Sequence, residues 1–200
     1  MPTETPPTST TAERIAEVAL EILEGEGPDA VTMRRVAQAV GITPMAIYHH
    51  FPNRDAMLQA ITDAEFENLR ALIETRKKQS TAHPKSRLVQ LMAGYLDYAL
   101  QRPRVFDYVF SRPRPGARQF PDDFRARRSP TLNLVADGVA EAMQAGKLKK
   151  DDCWEVALEL WALIHGYVAL YRAGRFHLSE EDFRALCERS IRRLLHGIQS

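Results

Sequence analysis

The chain has 200 residues, 44% hydrophobic and 26% charged, with a net charge of +1. This suits a globular protein with its own core and excludes a bulk polycation. Two cysteines, Cys153 and Cys187, exclude a disulfide framework and a four-cysteine zinc site. The longest uncharged apolar-rich run extends only from Leu160 to Tyr171, short of the roughly 20 residues a membrane span needs. The first residues, Met1-Pro2-Thr3-Glu4, show neither a basic nor an apolar leader, so the expected address is the cytoplasm, with no membrane partner.

In chain order, residues 1–10 are rich in Pro and Thr and poor in apolar side chains, which predicts a disordered tail. Thr10 and Glu13 have capping-box spacing. Ile15, Val18, Ala19, Ile22 and Leu23 then recur at helical spacing until Gly25-Glu26-Gly27-Pro28 stops the helix. Thr32 caps a short helix with Met33, Val36, Ala37 and Val40 on one face, and Gly41 ends it. Thr43 caps the next, with Pro44 at the tolerated first position. Asn53 caps a long helix to about Gln79. A further helix starts near Lys85 with Leu88, Leu91, Met92, Tyr95, Leu96 and Ala99 on one face. A short aromatic helix over 105–110 follows Arg102-Pro103, then a Pro-rich loop over 111–121. One helix is predicted over 121–145, one over 151–173 and a last one from Ser179. No segment alternates as a strand. The fold class is therefore all-α, with about nine helices.

Charge is unevenly placed. Ala30 to Arg54 holds Arg34, Arg35, Arg54, His49 and His50 and no acid, as a phosphate-binding surface requires. The same stretch holds two short helices joined at Gly41, a helix-turn-helix layout. Ala37 is small enough for close helix approach, Gly41 supplies the positive φ of a tight turn, and Ile42 and Ile47 pack the second helix on the first. Thr43, Pro44, Met45 and Ala46 form a small, uncharged leading edge that can enter a major groove. Tyr48 and His49 can donate to phosphate oxygens, as can Arg54 at the next helix start.

Val31-Thr32-Met33-Arg34-Arg35-Val36-Ala37, Gly41-Ile42-Thr43-Pro44-Met45-Ala46-Ile47-Tyr48-His49-His50-Phe51 and Asn53-Arg54-Asp55-Ala56-Met57-Leu58 resemble the DNA-binding domain of the TetR family. Trp161-x-x-x-His165-Gly166, followed by Gly174-Arg175-Phe176, resembles a TetR subgroup with a Trp-x-x-x-His-Gly motif. The resemblance implies a three-helix DNA-binding domain over 11–58 and a larger helical ligand-binding and dimerisation domain over 59–200. It implies base contacts at Arg34, Thr43, Pro44 and Met45. Phosphate contacts fall at Thr32, Ala46 (through its backbone), Tyr48, His49, His50 and Arg54. It implies a homodimer through the last two helices, with Trp154, Leu158, Tyr167, Leu170, Leu186, Ile191, Leu194 and Leu195 as candidate interface residues. The expected function is that of a repressor released from a palindromic operator by a small hydrophobic effector, the long helix from Arg54 acting as the lever.

The second half itself says less. Met92, Tyr95, Leu96, Phe106, Phe110 and Trp161 are candidates to wall an apolar pocket; His165 is either a further ligand contact or a core histidine. Gly166 reads as a close helix contact. The Arg-rich run over 102–128 reads as a solvated face, with an anion-accepting rim and a second nucleic-acid patch as alternatives. Little basic sequence surrounds the cysteines, which argues against a redox switch. Acid–base pairs, nucleophile triads and His-Glu-x-x-His spacing are missing from the sequence, so no enzyme activity, metal or cofactor is expected. The alternative function is a DNA-binding architectural or partner-regulated protein without a small-molecule ligand.

Overall fold

Local signals set most of the helix ends. In the computed structural model, which describes residues 10–79, 83–113 and 116–199, Thr10 accepts from the Glu13 N–H at 3.2 Å. The Glu13 carboxylate in turn accepts the Thr10 N–H at 2.7 Å. This closes a capping box at the start of α1, Thr11–Glu26. Thr32 and Thr43 cap α2, Met33–Val40, and α3, Pro44–His50, each accepting an N–H at 3.2 Å. Asn53 accepts the Ala56 N–H at 2.8 Å and opens α4, Arg54–Gln79. There follow α5, Pro84–Gln101, and α6, Pro103–Phe106, which runs into a π-helical turn over Asp107–Ser111. The last four are α7, Asp122–Arg125, α8, Pro130–Gln144, α9, Cys153–Arg172, and α10, Glu180–Gly197. Every regular element among the described residues is helical. The predicted tail over 1–10 lies outside them except for Thr10.

Among the described residues the α-helices number ten, against about nine expected, because the single helix expected over 121–145 is two. Arg127 takes a left-handed φ of 59°, and Pro130 has no N–H to continue a helix from α7. Ser129 instead caps α8, its Oγ accepting the Leu132 N–H at 3.3 Å.

The chain divides into two compact units. The first comprises the described residues up to Glu65 together with Arg102–Pro113. Its core joins Ile15, Leu23, Val36, Ala37, Ile47, Met57, Ile61 and Phe106, each no more than 2% exposed. Helices α1, α2 and α3 pack on one another and α6 packs on α1. The second unit comprises Phe66–Gln101 and the described residues from Gly116 onward. There α5 packs against α8, α9 and α10. Gly138 in α8 permits this: a Cβ there would stand 3.0 Å from Leu88 Cδ2 and 3.2 Å from Leu91 Cδ1. Asp97, buried in α5, is held by Arg76 from α4 and Arg184 from α10, as a buried carboxylate requires.

Candidate nucleic-acid interface

The turn between α2 and α3 is built on Gly41, which adopts φ 81° and ψ 30°. Its N–H and that of Ile42 both reach the Ala37 carbonyl at 3.0 Å, closing the end of α2 as a left-handed cap does. Ala37 and Ile47 are fully buried and Ile42 is half-buried, so α3 is seated on α2 as its spacing predicts. The opposite face of α3 is turned to solvent. Met45 is 71% and Tyr48 50% exposed; Thr43, Pro44, His49 and His50 are exposed and Ala46 half-buried. A methionine this exposed carries apolar surface that the fold does not use. Thr32 and Arg34 are exposed at the start of α2. The two threonine hydroxyls accept at their caps, and each keeps a proton to donate.

Arg54 has a use that the sequence did not reveal. Its Nε donates to the Val31 carbonyl and its Nη2 to the Pro28 carbonyl, both at 2.6 Å. The side chain thus braces the loop between α1 and α2, with two of its donors turned inward. Arg35 pairs with Glu26. From α6, Arg104 donates to the Glu24 carbonyl at 2.9 Å and also to that of Gly25. Arg102 pairs with Glu24, and with the fully buried Glu65 at 2.5 Å. Arg102 and Arg104 were legible only as part of an Arg-rich run.

Four more arginines of that run meet acids or an aromatic ring. Arg125 pairs with Asp152 at 2.6 Å, Arg127 with Asp137 at 2.8 Å and Arg128 with Asp123 at 2.8 Å. Arg118 lies 4.3 Å over the Phe66 ring. Two of the acids lie outside the run, so its net charge alone misrepresents the surface.

In the second unit, Met92, Tyr95 and Leu96 are buried on α5. The Tyr95 hydroxyl lies 3.0 Å from His165 Nδ1. The Trp161 ring centroid is 6.0 Å from that of His165 and 6.3 Å from that of Phe124. Burial pushes the Tyr95 hydroxyl far above the usual phenol range, so it is a neutral hydrogen-bonding group. Phe106 and Phe110 belong to the first unit, their centroids 5.2 Å apart; the structure therefore does not gather all seven pocket candidates in one unit. Of the interface candidates, Ile191 and Leu195 are 2% and 1% exposed. They face their own chain's core and are core rather than interface residues. Leu170 is 49% exposed, and Trp154, Leu158, Tyr167, Leu186 and Leu194 are half-buried. At Gly166, a Cβ would meet nothing within 4 Å among the described residues.

A capped, glycine-turned helix pair with an outward, acid-free reading face defines a helix-turn-helix DNA-binding regulator. Residues 9–61 match the model of bacterial regulatory proteins of the tetR family, and residues 88–194 that of the tetracyclin repressor-like C-terminal domain. The chain belongs to the TetR family. It is 23% identical over 194 residues to an HTH-type transcriptional regulator of Mycobacterium tuberculosis, covering 96% of this chain and 84% of that protein. It is 27% identical over 168 residues to the nucleoid occlusion factor SlmA of Actinobacillus pleuropneumoniae, covering 82% and 78%. A solved Rhodococcus sp. RHA1 protein superposes with a TM-score of 0.83 at 22% identity, covering 99% of this chain and 100% of that one, and shows the same fold. The family is one of transcriptional regulators, not enzymes.

Proposed function

We propose that this chain is a dimeric, cytoplasmic repressor that leaves a palindromic operator when a small apolar effector binds its second unit. Residues 11–58 read DNA, and the part of 59–200 that forms the second unit binds the effector and dimerises. Arg34, Thr43, Pro44 and Met45 meet base edges. Thr32, the Ala46 backbone, Tyr48, His49 and His50 meet phosphates. Arg54 acts chiefly by bracing the loop behind them.

The observation that carries the effector reading is the Tyr95–His165–Trp161 cluster. It sets the neutral Tyr95 hydroxyl and the His165 and Trp161 rings beside one another, on helices whose Met92 and Leu96 are buried, as a site for an apolar molecule with one polar handle requires. Trp161 and His165 are four residues apart on α9, which fits the Trp-x-x-x-His-Gly subgroup. The homodimer is supported by α9 itself. Its mean hydropathy is 1.2, yet only 28% of that apolar window is buried within the chain. Ala162, Gly166, Ala169 and Leu170 form its outward side, where a partner helix can approach. Two recognition helices about 34–36 Å apart then read one duplex face, and effector binding selects a conformer with the wrong separation.

The test is salt-dependent fluorescence anisotropy on the DNA upstream of the chain's own gene and on duplexes selected from random sequence. It is paired with thermal shift against a panel of apolar ligands. The repressor reading expects nanomolar binding of two chains per palindrome, weakened by Tyr48→Phe, and a ligand that both raises the melting temperature and releases DNA. The likeness to a nucleoid occlusion factor favours a second reading, a partner-regulated DNA protein. It expects tight DNA binding and no stabilising ligand.

A further inference from the structure

Four arginines, from α2, α4, α6 and the residue before α6, converge on one short segment, Glu24–Val31. Arg35 of α2 holds the Glu26 carboxylate. Arg54, the first residue of α4, holds the Pro28 and Val31 carbonyls. Arg104 holds the Glu24 and Gly25 carbonyls, and Arg102 the Glu24 carboxylate. The carbonyls at the end of α1 have no intrahelical donors, so cations here satisfy both hydrogen bonds and the negative end of the helix dipole. This segment joins α1 to α2 and so sets where the helix-turn-helix begins. Two of the four arginines come from residues far along the chain. Arg102 also grips Glu65, the last α4 residue of the first unit.

We propose that Arg102 and Arg104 are positioning residues for DNA reading. They hold the Glu24–Val31 segment, and with it α2 and α3, in the orientation the duplex requires, without touching DNA themselves. The effect runs from guanidinium to loop carbonyl, from loop to the Thr32 cap, and from α2 to α3.

The test uses the full-length chain. Arg104→Gln is compared with Arg104→Lys, whose ammonium can still donate to both carbonyls. A second variant, Arg102→Met with Glu65→Met, removes the Arg102–Glu65 pair as a whole and leaves no buried charge orphaned, only the exposed Glu24 carboxylate without this partner. Affinity is read by anisotropy on a duplex selected from random sequence, across a salt series. Amide hydrogen exchange over residues 25–50 is read without DNA.

Arg104→Gln is expected to weaken binding about tenfold and to speed exchange in α2 and α3. The slope of log affinity against log salt should stay unchanged, since each lost phosphate contact would flatten it by about 0.9. Arg104→Lys should recover most of the affinity. A flattened slope would place Arg104 on the phosphates and overturn the proposal. So would unchanged affinity in both Arg104→Gln and the double variant, or an affinity loss with exchange over 25–50 unaltered.

Discussion

Asp152 caps α9 by accepting from the Trp154 N–H at 2.8 Å and the Glu155 N–H at 3.3 Å. Its carboxyl is held below the usual value of 3.8, first by the Arg125 guanidinium and then by those cap hydrogen bonds. A lowered folded-state value means that the stabilisation is present above the unfolded pKa and is lost as pH falls through the folded one. Asp152→Asn keeps a capping side chain but loses the charge. It is expected to cost up to about 1 kcal/mol at neutral pH and to converge with the parent as pH falls through the lowered pKa, read as urea midpoints across a pH series. The two thiols also differ. Cys187 is 1% exposed and burial pushes its pKa up to about 11, whereas Cys153 is half-exposed. A thiol reagent at pH 8 should label one cysteine per native chain, Cys153, and both after denaturation. Rapid labelling of Cys187 in the native protein would contradict its placement.

At the scale of elements, helix ends were the most legible feature, because a cap is local chemistry. Thr10, Thr32, Thr43, Asn53 and Ser179 all cap where their spacing predicts. Gly41 does as its turn demands, with a left-handed backbone and open space around it. Gly41→Ala is therefore expected to cost about 1–2 kcal/mol from backbone strain alone, measured by thermal or urea unfolding; a neutral result would mean that the turn relaxes. The break between α7 and α8 is poorly marked in sequence because Arg127, a non-glycine, takes the left-handed φ that ends α7, and hydrophobic spacing does not register the missing N–H of Pro130. What each arginine binds was also illegible. Arg54 looks like a phosphate ligand from its place beside the recognition helix. Only the fold brings the Pro28 and Val31 carbonyls within 2.6 Å of it. Likewise Ile191 and Leu195 share a helical stripe with interface candidates, yet they face their own core.

At the scale of the whole molecule, the proposed dimer makes a prediction with two opposite signs. Gly166 sits in the middle of α9 with nothing near its missing side chain. Gly166→Gln should stabilise the isolated protomer by about 0.5–1 kcal/mol through helix propensity. The same change should lower the dimer fraction in sedimentation velocity at micromolar concentration. A variant that remains as dimeric as the parent would remove α9 from the interface. The acid-free reading face was visible in the sequence because its residues are contiguous. The brace behind it was not, because half of it arrives from Arg102 and Arg104.

That divided origin bears on how regulators of this build can be recombined. A hybrid made by cutting at the end of the helix-turn-helix and joining it to a foreign sensor would carry Arg35 and Arg54 but leave Arg102 and Arg104 behind. Exchange of residues 10–65 together with 102–113 would transplant the whole unit. The useful seam for building chimeric switches from this chain therefore has three cuts rather than one.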